Sequence, residues 1–196
     1  MKHLYYLLLL VLVSTVIKAQ TIMDVARSKE ITWYGIDFSK ARFIGFGNEI
    51  TPDALTGELI PQWQSFTESI DFSKKYKTKV NKMPREAQQR NAAIVARKMI
   101  VNNYYEIHPD TIADVVLKYE TTGSGFGFLF LVESFEKSTD KAYVYVCFFN
   151  EPDRKIISVR RYIGKASGRN LIYRYKLTIN SIVSSSCKDF KQYKKK

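Results

Sequence analysis

The chain has 196 residues, 45% hydrophobic and 14% aromatic, with 31 Lys and Arg against 19 Asp and Glu. That length makes one domain the default and that apolar fraction fills a real core, so disordered, collagen-like and disulfide-scaffold classes are excluded. With only two His and two Cys, a multi-histidine metal centre is excluded as well, and no metal or cofactor is expected.

Lys2 is followed by an uncharged run of 14 residues, 4–17, and then by Lys18, Ala19 and Gln20. A positive start, a short apolar stretch and a small residue make the pattern of a secretory signal peptide. The run falls short of the roughly 20 apolar residues that a spanning helix needs. Residues 1–19 are therefore expected to be removed, and residues 20–196 to form a single soluble domain in the periplasm or outside the cell. Processing removes Lys2 and Lys18, which lowers the net charge from +12 to +10 and leaves His108 as the sole imidazole. In an oxidising compartment Cys147 and Cys187 are candidates for one disulfide, which would add roughly 4 kcal/mol in the chain-entropy model. The alternative is two small buried hydrophobes.

Residues 31–36 (ITWYGI) are β-branched and aromatic and read as a strand, with 41–46 as its continuation or partner. Thr51, Pro52 and Asp53 signal a helix start, and a helical stretch is expected through Trp63 and Phe66 to about Ile70. Pro84 and Glu86 suggest a second helix beginning near Met83, with Ala87, Ile94 and Val95 turned inward. Asp110 reads as the N-cap of a short amphipathic helix carrying Ile112, Val115, Val116 and Tyr119. Residues 126–135 and 142–149 are nearly continuous apolar runs joined by a short polar link, which implies a hairpin buried on both faces. The run 155–163 interleaves Ile157, Val159 and Ile163 with Ser158 and Arg160 and is expected nearer an edge. After Gly168, the spacing of Leu171, Tyr175, Ile179, Ile182, Val183 and Phe190 predicts a long amphipathic helix packed back on this meander. The expected fold is α+β, a mostly antiparallel sheet of a C-terminal three-stranded meander plus an N-terminal strand, packed by helices.

The segments KYETTG, GFGFLFLVESFEK and AYVYVCFFNEPDRKIISVRRYIGKASG, an RN-initiated helix after them and WYGIDFSKA near the start resemble a family of small, uncharacterised exported proteins of Gram-negative bacteria. The likeness spans over a third of the chain. It implies the fold and export; it carries no catalytic residue, cofactor or partner.

The clearest candidate site is the junction Gly164, Lys165, Ala166, Ser167, Gly168 and Arg169. Two glycines permit a tight turn, free amides at the helix start point outward and Lys165 and Arg169 add charge, a general recipe for holding a small anion. The alternative is an ordinary turn with Ser167 near the N-cap, and the GK[ST] ending of a Walker A loop is absent. Gly123, Gly125 and Gly127 lead into a strand where a dinucleotide-binding loop would leave one. Serine or cysteine hydrolase chemistry would have to use His108, in a helix-entry loop without a nucleophile elbow. Glu133, within an apolar strand, is the most unusual acid; it either faces solvent near the strand end or belongs to a carboxylate pair of glycosidase type.

Charge is unevenly spread. Residues 74–98 hold nine basic side chains and one acid, and 154–196 thirteen and one, whereas 99–153 hold three and nine. Such blocks suit an anionic envelope polymer, a lipid surface or an acidic protein. Arginine and tyrosine interleave at 160–162 and 173–175, as in nucleic-acid interfaces, but export argues against that partner. The reading is an exported envelope protein without catalysis, a binding or assembly module whose basic surface engages an anionic partner. The alternatives are a carbohydrate-active hydrolase with paired carboxylates and a small-anion site on the 164–169 loop.

Overall fold

The computed structural model describes residues 20–47, 49–165 and 170–195; the signal-peptide reading of residues 1–19 lies outside them. Seven strands join one sheet: β1 (Glu30–Asp37), β2 (Arg42–Ile44), β3 (Lys79–Lys82), β4 (Ile100–Val101), β5 (Phe126–Glu136), β6 (Lys141–Asn150) and β7 (Ile156–Lys165). The helices are α1 (Ile22–Arg27), α2 (Pro52–Ala54), α3 (Ile60–Glu68), α4 (Phe72–Tyr76), α5 (Arg85–Ala92), α6 (Pro109–Leu117) and α7 (Leu171–Lys194). A π-helical turn, Leu55–Leu59, joins α2 to α3, and a 3-10 turn, Ala96–Lys98, precedes β4.

The long strand β5 is the spine. One of its edges pairs antiparallel with β6, and β6 pairs antiparallel with β7, so the meander forms as its apolar runs predict. The other edge pairs in parallel, first with β1 and then with β2, and β3 and β4 extend those two outward, again in parallel. The expectation of a mostly antiparallel sheet is therefore overturned, because β3, β1, β5, β2 and β4 all run the same way. The cause is connectivity: helices intervene between β2 and β3, between β3 and β4 and between β4 and β5. Such crossovers return the chain to the same end of the sheet, where a tight hairpin would reverse it.

β1 and β2 are two halves of one path along β5, running from Thr32 opposite Gly127 to Ile44 opposite Glu136. The path is broken by a bulge between Trp33 and Ile36 and by a turn in which the Ala41 N–H donates to the Phe38 carbonyl at 2.9 Å. Gly35 sits in the bulge with φ +106°, and a Cβ there would lie 2.6 Å from the Cβ of Ala87. Only glycine combines that backbone angle with the close approach of α5.

Helices cover both faces, which explains the continuous apolar runs of β5 and β6. Val144, Val146 and Phe148 of β6 join the larger core beneath α1, α3, α4 and α7, while Tyr145, Cys147 and Phe149 meet Ile112, Val115 and Val116 of α6. β7 pairs with no described strand except β6 and is half exposed, an edge as its pattern indicates. In α7 the Asn170 side chain accepts the Tyr173 N–H, and Tyr175, Ile179, Ile182, Val183 and Phe190 are buried at the predicted spacing. Two local expectations fail. The N-cap of α6 is His108, whose Nδ1 accepts the Asp110 N–H at 3.4 Å, with Pro109 in the first turn. α5 stops at Ala92, so Val95 is 59% exposed instead of core-facing.

Candidate anion-binding surface

The two basic blocks meet where α4 docks on the C-terminal half of α7. α4 is capped by Asp71, whose Oδ1 accepts the Lys74 N–H at 2.9 Å. It ends in the left-handed residue Lys77, φ 54°. Tyr76 fixes its position: the ring stands edge-on to Phe190 at 5.1 Å, and the hydroxyl lies 2.7 Å from Ser186 Oγ. This docking brings Lys75 and Lys77 to the end of α7, whose last turns carry Lys188, Lys191 and Lys194, with Lys195 at the C-cap. Lys194 Nζ donates to the Lys77 carbonyl at 2.7 Å. Burial pushes the Cys187 thiol up to about 11, and the nearby Lys191 and Lys75 ammonium groups pull against that rise. The acid on this stretch of α7, Asp189, is already engaged by Arg160 Nη1 at 2.9 Å and the Tyr162 hydroxyl at 2.8 Å. The lysines also complement the negative end of the α7 dipole. Their charge remains available to an anion.

The opposite face holds carboxylates that are wholly removed from solvent, Asp37, Glu133 and Glu151. Asp37 Oδ2 accepts from Arg90 Nε at 2.8 Å and from the Tyr119 hydroxyl at 2.9 Å. Glu133 Oε1 accepts the Ile107 N–H at 3.0 Å and the Tyr145 hydroxyl at 3.2 Å, while Oε2 takes Arg161 Nε at 2.7 Å and is also contacted by Arg161 Nη2. Glu151 Oε2 accepts the Thr122 N–H at 3.2 Å and the Thr122 hydroxyl. Residues 107, 119 and 122 flank α6, so these acids pin both ends of that helix to the sheet. Asp37 and Glu133 are each paired with an arginine, as buried carboxylates require, whereas Glu151 has the Thr122 donors and its Oε1 has no partner among the described residues.

Glu133 therefore neither faces solvent nor opens to a substrate; its oxygens point at protein donors, whereas a general acid must reach the bond it protonates. Its partner Arg161 also lies 3.9 Å from the centre of the Tyr143 ring on β6, and Tyr162 donates to Asp189, so the interleaved arginine and tyrosine of β7 have a structural use. His108 is an exposed cap. Cys147 and Cys187 are both free and occupy the cores on opposite sides of the sheet, so the possible bridge is not formed. Burial pushes the Cys147 thiol far up as well. Both behave as small hydrophobes.

Of the predicted anion loop, Lys165 is exposed at the end of β7, and its carbonyl accepts the Thr178 hydroxyl at 2.9 Å. Ser167, Gly168 and Arg169 lie outside the described residues. Gly164 has a packing role: a Cβ there would lie 2.6 Å from Thr178 Cγ2 and 3.0 Å from the Thr178 carbonyl oxygen. Among the described residues no three metal-ligating side chains converge, and no helix is long and apolar enough to cross a membrane.

No family model matches the chain, and no curated protein matches it. Among solved structures it is similar to a lipoprotein of Neisseria meningitidis, at 9% identity and a TM-score of 0.33, covering 83% of this chain and 96% of that one. It is also similar to a hypothetical protein of Chlamydia trachomatis, at 11% identity and a TM-score of 0.29, covering 83% and 93%. Scores this low carry no inference about fold or function.

Proposed function

We propose that this chain is an exported, non-catalytic binding or assembly module of the bacterial envelope, and that the lysine cluster on α4 and α7 docks on an anionic surface. The observation that carries the reading is the convergence of Lys75 and Lys77 with Lys191 and Lys194, drawn from two separate basic blocks and held in place by Tyr76. Lysine presents a compact charge on a flexible stem and lacks the bidentate fork of arginine, so a lysine cluster suits dispersed negative charges better than one fixed carboxylate. At about 1 kcal/mol per lysine near an anionic membrane, four or five engaged lysines give half-binding near 0.1–1 mM accessible lipid. The leader pattern at residues 1–19 and the resemblance to small exported proteins support an envelope location.

The test is co-sedimentation of the processed chain with vesicles. Phosphatidylglycerol vesicles are expected to carry the protein down at about 20 mM salt and to release most of it at about 300 mM, as screening shortens the reach of each charge. Phosphatidylcholine vesicles are expected to leave it in solution. Equal binding to both lipids, or binding that ignores salt, overturns the reading.

A further inference from the structure

A second cationic feature lies away from the lysine cluster, at the break between β1 and β2. There a cleft of about 210 Å³ is lined by Ser39, Arg42, Arg90, Lys98 and an apolar wall that includes Ile94 and Met99. No acidic side chain is among its described lining residues. Asp37 lies buried beside it and engages Arg90 Nε, while Arg90 Nη2 donates to Ser39 Oγ at 3.3 Å. Glu86, on α5, also acts on Arg90. Arg42 Nη1 donates to the carbonyls of Ala41 at 2.9 Å and Lys40 at 3.3 Å, and its guanidinium rests 4.7 Å from the centre of the Tyr105 ring. Those bonds use only part of what two guanidinium groups offer, since each carries five N–H donors. Lys98, carried into place by the 3-10 turn, is exposed and has no carboxylate partner among the described residues. Three cations thus border one cleft, with Asp37 and Glu86 as the acids beside them.

We propose that this cleft binds a compact anion bearing a short apolar chain, a small organic phosphate or carboxylate. Arg42 and Lys98 meet the charge, with the remaining donors of Arg90 behind them, and Ile94 and the exposed Val95 cover the chain. The volume is below the roughly 300–1,000 Å³ of drug-sized sites, which limits the occupant to a small molecule. Arg90 is tied to buried Asp37 and is no neutral probe. Lys98, exposed and without such ties, is the clean probe; Arg42, bonded to two carbonyls and stacked on Tyr105, is replaced by Gln, which keeps a donor.

The experiment is a nuclear magnetic resonance titration of the full processed chain with butyl phosphate, butyrate, inorganic phosphate and butanol. Butyl phosphate is expected to bind at one site, shifting amides of residues 39–42 and 93–99. Inorganic phosphate is expected to bind about tenfold more weakly, for want of the apolar contact. Lys98→Ala and Arg42→Gln are each expected to weaken butyl phosphate about tenfold through loss of one charge-assisted contact. Lys165→Ala and Lys75→Glu are expected to leave it unchanged. Butyrate separates a carboxylate occupant from a phosphate one, and binding of either fits the site. If neither anion shifts those amides, or butanol binds as well as butyl phosphate, the proposal is overturned. It is equally overturned if Lys165→Ala abolishes binding while the Lys98 and Arg42 variants keep it. Loss of vesicle binding by Lys75→Glu, with the cleft titration intact, separates this site from the lysine cluster.

Discussion

Trp63→Ala is expected to lower the free energy of unfolding by about 3–5 kcal/mol, the range of large aromatic truncations in close-packed cores. The indole is 1% exposed and stacks on Phe43 at 5.8 Å, Phe135 at 5.6 Å, Tyr175 at 4.8 Å and Phe38 at 5.9 Å. Those rings come from β2, β5, α7 and the β1–β2 turn, so one side chain joins the parallel half of the sheet to the C-terminal helix. The indole N–H has no hydrogen-bond partner among the described residues, so the loss is one of packing. The site has little room to collapse, because the Tyr175 hydroxyl is held 2.7 Å from Thr67 Oγ1 on α3. Urea unfolding checks this: the midpoint is expected to fall with the slope unchanged. A loss under about 1 kcal/mol would show that this aromatic stack does not hold the halves together.

The second large effect is alkaline unfolding. Burial raises the hydroxyls of Tyr34 and Tyr145 to about 12, and lifts Tyr76, Tyr119, Tyr162 and Tyr175 further. The same cause raises the Cys147 and Cys187 thiols. In each case the folded value lies above the unfolded one, so the contribution to stability is full below the unfolded values, near 8.5 for Cys and 10 for Tyr. It is lost as pH climbs toward the folded values, because the unfolded chain then holds fewer protons than the native one. For each fully buried group the loss is about 1.4 kcal/mol per pH unit above its unfolded value. Thermal melts are therefore expected to be flat from pH 7 to 8 and to drop steeply between about pH 9.5 and 11. A midpoint unchanged at pH 11 would mean that these rings ionise freely in the native state.

The sequence made β5, β6, β7 and α7 legible because their apolar runs and spacing are long enough to name both element and face. β3 and β4 left no such signal. They have four and two residues, and β3 reads KVNK, so neither shows an alternating pattern. Their parallel pairing depends on helical crossovers, which no local residue encodes. The choice between a bridge and two buried hydrophobes was open in the sequence for a similar reason, since nothing near Cys147 or Cys187 tells which side of the sheet each will occupy. Glu133 stood out as an acid in an apolar strand, but its partners Ile107 and Arg161 lie 26 and 28 residues away. The basic blocks were visible as composition. That Lys75 meets Lys191 became visible only through Tyr76, whose ring and hydroxyl look like ordinary core in the sequence.

The most direct measurement compares two double charge reversals in vesicle binding, Lys75→Glu with Lys191→Glu and, as control, Lys118→Glu with Lys141→Glu. Both change the net charge equally, and the control lysines are exposed and remote from α4 in the chain. If the lysine cluster is the docking surface, the first pair weakens binding to phosphatidylglycerol vesicles by about 30-fold or more, and the control stays within about threefold of the parent. Equal losses in both pairs would show that total charge alone draws the protein to the surface, and no loss in the first pair would place the contact elsewhere on the molecule.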